Sequence, residues 1–215
     1  MRTLQIQNVS LAFGDREILK DIGFTMNEKT RAALAGANGS GKSTLLKVIS
    51  GDIKADFSSL SITKGARISY LPQSGIVLPD STVYEAAEEG YRRFDAMLSE
   101  MSALENEAAE GGSRAMKAAE RIAEIHDELS SSGYYDRKSR IGAILFGLGF
   151  TESDLERSAR TFSGGYQMRI ALARILVENP DFLFLDEPTN YLDIEAMIWL
   201  EEYLKAFDGG LMVVS

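Results

Sequence analysis

Apolar and polar residues alternate through the first 35 residues of the chain, a pattern that predicts β structure. One strand is expected around residues 4–9, and two more between residues 18 and 24. A short apolar strand at residues 31–35 then runs into a glycine-rich loop. From Lys42 the apolar residues recur at helical spacing, and Gly51 ends this helix because glycine suits the position after a helix end.

A different pattern occupies the middle of the chain, where apolar residues recur at alternating three- and four-residue steps. The first series is Tyr91, Phe94, Leu98 and Met101, and the second, after Gly111-Gly112-Ser113, is Ala115, Ala118, Ile122, Ile125 and Leu129. Two such series joined by a glycine turn predict an antiparallel helical hairpin over residues 88–136. Helices of about 25 residues each would make it roughly 35–40 Å long.

The remaining patterns are typical of a buried core in which strands alternate with helices. The expected elements are a strand at residues 68–71, core residues at 141–148, a helix at 166–177, a strand at 182–185, an amphipathic helix at 194–207 and a strand at 211–214. Strands separated by helices predict an α/β fold with a parallel sheet.

Composition excludes several classes of protein. The 215 residues are 45% hydrophobic and 26% charged, which suffices for a sizeable core, and the net charge of −9 argues against a general polyanion-binding surface. The absence of cysteine excludes disulfides and thiolate metal sites and fits a reducing cytoplasm. No apolar run reaches the ~18 residues that a membrane span needs, and the N-terminus lacks the apolar core of a signal peptide.

A phosphate-binding loop is predicted at residues 36–44, GANGSGKST, between the strand and the helix. Glycines let backbone N–H groups surround phosphates, and the helix that follows presents its positive N-terminus. Lys42 is expected to reach the β- and γ-phosphates, and the Ser43 hydroxyl to ligate Mg²⁺. A chance glycine turn, expected in roughly one chain in a hundred, is disfavoured by the strand–loop–helix context. The nucleotide-binding residues predicted here are Gly36, Asn38, Gly39, Ser40, Gly41, Lys42, Ser43 and Thr44.

Two carboxylates end the apolar strand FLFLDE at residues 182–187. The carboxyl edge of a parallel sheet is where ligands bind in such folds. Asp186 would hold the magnesium ion and its water shell, and Glu187 would act as the general base for an attacking water. Such a pattern alone also fits an ordinary strand end, and the phosphate loop upstream makes the catalytic interpretation the stronger one.

A second anion site is predicted at residues 162–174, FSGGYQMRIALAR, where Ser163 would cap a helix with free N–H groups. A capped helix without any ligand is the alternative. Ser163-Gly164-Gly165, DEPTNYLD at residues 186–193, LPQ at residues 71–73 and the phosphate loop together resemble the ATP-binding cassette (ABC) family over nearly the whole chain.

The resemblance implies a P-loop ABC nucleotide-binding domain: a RecA-like core with an antiparallel β subdomain, and a helical subdomain that carries the hairpin arm. The expected division is residues 1–87 for the first part of the core, with the β subdomain and the phosphate loop, and 88–136 for the arm. Residues 137–215 are expected to hold the rest of the helical subdomain, the signature sequence and the strand with the two carboxylates. ATP and Mg²⁺ are the implied cofactors, and a second cassette is the implied partner. One chain has one phosphate loop and one signature sequence, Ser163-Gly164-Gly165, and these two cannot close on the same nucleotide.

Further roles follow from the resemblance, residue by residue. Gln73 matches the Q-loop glutamine, which contacts Mg²⁺ and acts with Lys42 and Glu187 in catalysis. Phe13 matches the aromatic that stacks on adenine, although a core aromatic on an early strand is the alternative. Asp193 matches the D-loop aspartate at the cassette interface. The signature residues Ser163, Gly164 and Gly165 would contact the γ-phosphate held by the opposite cassette.

The hairpin arm and DEPTNYLD resemble the ABC-F group, whose members carry two cassettes and act on ribosomes. An ATPase subunit of a membrane transporter is the alternative, and an arm this short argues against a chromosome-maintenance ATPase. Tyr191 stands where the group often has histidine. The switch histidine is expected after residue 215, so the chain is expected to be a first cassette that binds ATP and hydrolyses it poorly alone. His126, the one histidine, is expected at the surface of the arm.

Charge alone does not predict that the arm binds RNA. Residues 85–140 contain 8 basic and 13 acidic side chains, a net charge of −5. Phosphate contacts need clustered lysine and arginine, and few clusters are present. A solvated hairpin is therefore the alternative to a ribosome-binding arm, and the ribosome as partner rests on the family resemblance.

Overall fold

The computed structural model describes residues 1–56, 59–109 and 113–214. Their strands are β1 Thr3–Phe13, β2 Arg16–Asn27, β3 Arg31–Leu34, β4 Ser59–Ile62, β5 Ile68–Leu71, β6 Phe182–Asp186 and β7 Gly210–Val214. They form a three-stranded antiparallel sheet in the order β2-β1-β4 and a four-stranded parallel sheet in the order β3-β7-β6-β5. The predicted α/β architecture, with a parallel core sheet and a separate antiparallel sheet, is confirmed.

One expectation in the antiparallel sheet is wrong. The two strands predicted between residues 18 and 24 are a single strand, β2, paired with β1 along most of its length. Irregularities interrupt the side-chain alternation, because the β1–β2 register shifts between Ile6 and Ala12 and both Asn8 and Asp21 have positive φ angles. Such bulges insert residues without ending a strand, and for this reason the broken sequence pattern indicated two elements.

The helices are α1 Lys42–Ser50, α2 Val83–Glu88, α3 Asp95–Ala109, α4 Ser113–Ser131, α5 Arg137–Gly147, α6 Gly164–Glu178 and α7 Ile194–Lys205. The helices predicted from Lys42 and at residues 166–177 are confirmed, and Gly51 and Asn179 end them with positive φ angles. α7 stops at Lys205, two residues earlier than expected, and Phe207 is buried in the loop that follows. In the described part of the chain, no helix is long and apolar enough to cross a bilayer.

The parallel sheet separates two hydrophobic clusters. Successive side chains of a strand point to opposite faces. Phe182 and Phe184 therefore pack with α1 and the antiparallel sheet, whereas Leu183 and Leu185 pack on the other face with α2, α5 and α6. Every residue of β6 is buried, as expected for a central parallel strand covered on both faces. This burial fixes the position of β6 in the sheet, and therefore the position of Asp186 and Glu187 at its carboxyl end.

The hairpin arm is shorter than the sequence pattern indicated. Tyr91 and Phe94 lie in a 3₁₀ helix, Glu89–Phe94, and are buried in the core beneath the arm. α3 has 15 residues and α4 has 19, so the longer helix extends about 28 Å rather than 35–40 Å. Gly111 and Gly112, where the turn is expected, lie outside the described residues. His126 is exposed on α4, as predicted, and its Nδ1 hydrogen-bonds the hydroxyl of Tyr135.

Candidate functional site

The glycine-rich loop connects the parallel strand β3 to the helix α1. Gly41 is the N-terminal cap of α1 with a φ of 93°, a left-handed conformation that glycine adopts without strain. A side chain there would also meet the backbone oxygen of Ile18 at 3.0 Å. Lys42 lies along the loop, because its Nζ donates to the carbonyl oxygen of Gly36 at 2.7 Å and to that of Ala37 at 3.3 Å.

A cavity of about 440 Å³ opens above this loop. Four separate parts of the chain line it: the β1–β2 hairpin, the loop with the start of α1, the segment after β5 and the residue after β6. The lining residues are Phe13, Arg16, Ile18, Asn38, Gly39, Gly41, Lys42, Ser43, Thr44, Gln73 and Glu187. The structure therefore brings most of the predicted nucleotide-binding residues to one cavity. Gly36 and Ser40 lie within the loop itself, where a side chain on residue 36 would meet the Ser40 hydroxyl at 3.0 Å.

Phe13 and Arg16 line the cavity from the β1–β2 hairpin. Phe13 is 57% exposed, which excludes the alternative of a core aromatic, and an exposed ring that lines a cavity can stack on a planar base. Arg16 faces Phe13 across the β1–β2 turn. Sequence reasoning missed Arg16, because its position opposite the aromatic depends on the hairpin register.

Glu187 follows β6 and takes a left-handed backbone conformation, φ 48°, which costs a residue with a side chain about 1–2 kcal/mol. Its backbone N–H donates to the carbonyl oxygen of Val214 at 3.0 Å, which holds this conformation in place. The carboxylate Oε2 accepts two amide hydrogen bonds, from Gln73 Nε2 and Asn190 Nδ2, each at 2.6 Å. Strained residues held by their surroundings are common at functional sites, and Glu187 is such a residue that lines the cavity.

Asp186, one residue earlier, is buried at 2% exposure. Its Oδ2 accepts a hydrogen bond from the Tyr70 hydroxyl at 3.3 Å, but its buried Oδ1 has no hydrogen-bond partner within the described part of the chain. Burial first, and then the negative charge of Asp186, raise the pKa of Tyr70 well above its usual range, so that hydroxyl remains a donor. An unsatisfied carboxylate oxygen is a group that a divalent cation would satisfy.

The predicted donor set fits Mg²⁺ in kind, since hydroxyl, carboxylate and amide oxygens are hard ligands. Ser43 and Gln73 line the cavity, whereas Asp186 is buried and absent from that lining, although the next residue, Glu187, belongs to it. Among the described residues, no three acidic or histidine side chains cluster to form a metal cage. A magnesium ion at this site would therefore depend on phosphate oxygens for part of its coordination, as nucleotide-bound magnesium does.

The residues of the predicted second anion site do not line the cavity. Ser163 occupies the N-cap position of α6 as expected, but its side chain makes no capping hydrogen bond. Ser163 and Gly164 are exposed, and a side chain on Gly164 would meet open space. This helix end is thus exposed to solvent and lies outside the lining of the cavity that contains Lys42.

Asp193 likewise lies outside the cavity, where it is the N-cap of α7 and accepts a hydrogen bond from the Ala196 backbone N–H at 2.9 Å. That bond first, and then Arg169, hold the pKa of Asp193 below its usual range. Arg169 is only 7% exposed, and it donates to Asp193 Oδ2, to the carbonyl oxygen of Tyr191 and to that of Leu148 at 2.8–3.0 Å. Sequence reasoning missed Arg169, although an arginine within the apolar run MRIALAR was a usable signal.

Comparison with known proteins agrees with this geometry. The family described as "ABC transporter" matches residues 19–190. Two solved structures share the fold over 99% of the chain: an ATP-binding subunit of an ABC transporter, with a TM-score of 0.71, 18% identity and 78% of that chain covered, and a putative ABC transporter ATP-binding protein from Pyrococcus furiosus, with a TM-score of 0.63, 21% identity and 90% of that chain covered.

Curated relatives align along nearly the whole chain, which spans less than half of their own lengths. The ABC transporter ATP-binding protein YfmM of Bacillus subtilis is 32% identical over 100% of the chain and 42% of its own length. The probable ATP-binding protein YheS of Escherichia coli K12 is 36% identical, over 94% and 30%. Human ATP-binding cassette sub-family F member 3 is 37% identical, over 99% and 29%. The chain therefore belongs to the ABC transporter family, as an ATP-binding cassette domain with relatives in sub-family F.

Proposed function

We propose that this cassette binds Mg-ATP and hydrolyses it when paired with a second cassette. The observation that carries the proposal is the single cavity that joins the phosphate loop, the aromatic Phe13, and the Gln73–Glu187 pair. Glycine-loop backbone N–H groups and Lys42 suit a triphosphate, and Phe13 suits the base. Magnesium, held by Ser43, Asp186 and Gln73, would neutralise charge on the β- and γ-phosphates.

The proposed hydrolysis gives Glu187 the role of general base. Glu187 accepts a proton from water as the water oxygen bonds to the γ-phosphorus and the bond from that phosphorus to the ADP oxygen breaks, releasing ADP and phosphate. Both amide donors contact Oε2 of Glu187. The second carboxylate oxygen, Oε1, is therefore the proton acceptor that this arrangement leaves for water.

Pairing with a second cassette is supported by the exposed start of α6. Backbone N–H groups at a helix N-terminus bind anions, and Ser163, Gly164 and Gly165 lie away from the cavity that would hold their own chain's nucleotide. A γ-phosphate presented by another cassette would meet these groups. ABC cassettes pair in this way, and we propose that Asp193 lies at the same interface.

We propose further that the full protein is a cytoplasmic, ribosome-associated factor of the ABC-F group. The hairpin of α3 and α4, inserted between Gln73 and Ser163, and the relatives YheS and sub-family F member 3 support this proposal. The absence of cysteine suits the reducing cytoplasm. An ATPase subunit of a membrane transporter is the second candidate, because the solved ATP-binding subunit of an ABC transporter shares the fold.

Co-sedimentation with ribosomes tests the proposal. Glu187→Gln, with the equivalent change in any second cassette, removes the base but preserves nucleotide binding, so it should hold the ATP-closed state. We expect this variant to pellet with ribosomes only when ATP is present. The matched control replaces residues 105–120 by a short glycine-serine link, which shortens the arm and leaves the buried residues Tyr91 and Phe94 beneath it unchanged. Sedimentation that needs neither ATP nor the arm would contradict the ribosomal proposal, and failure to bind ATP would contradict the cassette function.

A further inference from the structure

Tyr191 joins the segment after Glu187 to the segment after β5. It ends the 3₁₀ helix Pro188–Tyr191, and its hydroxyl donates to the backbone carbonyl oxygen of Gln73 at 3.1 Å. Residues 72–81 form neither helix nor strand, so few backbone bonds hold this stretch. The Tyr191 hydroxyl is therefore a specific anchor at its beginning.

The other side of Tyr191 contacts the signature helix α6. Its carbonyl oxygen accepts a hydrogen bond from Arg169 Nε at 2.8 Å, and a side chain added to Gly165 would lie 3.6 Å from its ring. Arg169 is buried and makes two further hydrogen bonds, which fix its position. Tyr191 is thus held from α6 at its backbone and holds Gln73 with its side chain.

The position of the Gln73 side chain affects two groups of the site, because its amide nitrogen and its amide oxygen each have a separate partner there. The Nε2 donor contacts Glu187 Oε2, and the amide oxygen of the same group is the predicted magnesium ligand. A shift of the Gln73 backbone would move both ends at once. Reactive groups must be held within a fraction of an ångström of their productive geometry.

We propose that Tyr191 is a positioning residue for ATP hydrolysis, whose hydroxyl fixes the Gln73 backbone so that the glutamine amide bridges the general base and the magnesium site. The inference rests on the proposed ATPase function. It assigns a role to the side-chain hydroxyl of Tyr191, beyond the contacts of its backbone. Tyr191 acts through Gln73 and needs no contact with nucleotide.

Steady-state kinetics of the full-length protein test this role with Tyr191→Phe, which removes only the hydroxyl. A neutral hydrogen bond has a modest net worth, so we expect kcat to fall roughly threefold to tenfold, with the KM for ATP changing less than about twofold. Tyr203→Phe is the control, because the Tyr203 hydroxyl likewise donates to a backbone carbonyl oxygen, that of Leu176 at 3.0 Å, while it accepts from Arg140 at 3.3 Å and does not line the cavity. It should leave kcat within about twofold of the parent value.

A double-mutant cycle separates positioning from general destabilisation. In a Gln73→Ala background, Tyr191→Phe should have no further effect on kcat, since the group that the hydroxyl positions is gone. Equal kcat for Tyr191→Phe and the parent, an equal loss in Tyr203→Phe, or additive losses with Gln73→Ala would each overturn the inference. A parent protein that hydrolyses no ATP would instead contradict the proposed function itself, so the two failures are distinguishable.

Discussion

Asp186 offers the sharpest test of the magnesium site, because the same carboxylate should oppose folding and favour ligand binding. It is 2% exposed, and its buried Oδ1 lacks a hydrogen-bond partner in the described structure. An unsatisfied buried acceptor costs about 1–3 kcal/mol, and more when the group is charged. We therefore predict that Asp186→Asn, which removes the charge and keeps the shape, stabilises the protein without magnesium or nucleotide by about 1–2 kcal/mol.

Thermal unfolding with and without Mg-ATP measures both effects. A domain of this size gains about 2–4 °C in melting temperature per kcal/mol, so the variant should melt about 2–8 °C higher than the parent without ligand. Mg-ATP at a hundred times its Kd should stabilise the parent by about 2.7 kcal/mol. The magnesium-dependent part of that gain should be missing from Asp186→Asn, while any gain from ATP in the presence of EDTA should persist.

Glu187→Gln is the matched control for Asp186→Asn. Two amide donors already contact the Glu187 carboxylate, so neutralising it should bring no comparable stabilisation without ligand. A lower melting temperature for ligand-free Asp186→Asn would refute the assignment of a costly buried charge. An undiminished magnesium response in the same variant would refute its role as a ligand.

Three further predictions concern the aromatic residue Phe13, the buried Arg169 and the D-loop aspartate Asp193. Phe13→Ala should weaken ATP binding about tenfold in equilibrium titration, and Phe13→Trp should retain it, because stacking on an aromatic contributes about 1–3 kcal/mol per base. Arg169→Ala should lower the free energy of unfolding in urea by about 2–4 kcal/mol, since it leaves two carbonyl oxygens without their arginine donor. Arg121→Ala, in the exposed ion pair of the arm, should change the free energy of unfolding much less, because solvent screens an exposed pair. The pKa of Asp193 is lowered by folding, so its contribution to stability is present above the unfolded value of about 4 and is lost as pH falls through the folded pKa. Asp193→Asn should therefore lose less stability than the parent in urea titrations between about pH 5 and about pH 3, and an equal loss would count against the contribution of this carboxylate.

Local chemistry made much of the fold predictable from the sequence. The loop at residues 36–44 needs glycine where the backbone turns, as at Gly41 with its φ of 93°, and that requirement is visible in the residues themselves. Helices α1, α6 and α7 follow from apolar spacing and end signals, and the continuous apolar run of β6 follows from burial on both faces. Periodicity failed where bulges interrupt it in β2, and where buried Tyr91 and Phe94 extend the arm's pattern into the core.

The contacts that organise the site were decided by tertiary structure alone. Gln73 and Glu187 are 114 residues apart, and Tyr191 and Gln73 are 118 apart, yet each pair is joined by a hydrogen bond. These pairs meet because β5 and β6 are parallel neighbours whose carboxyl ends align, from Leu71 against Leu185. A sequence pattern records which residue types a local backbone needs, whereas strand order and register are set by how whole elements bury their apolar faces. For that reason the sequence determined the chemical groups of this site, and only the packed fold determined which of them touch.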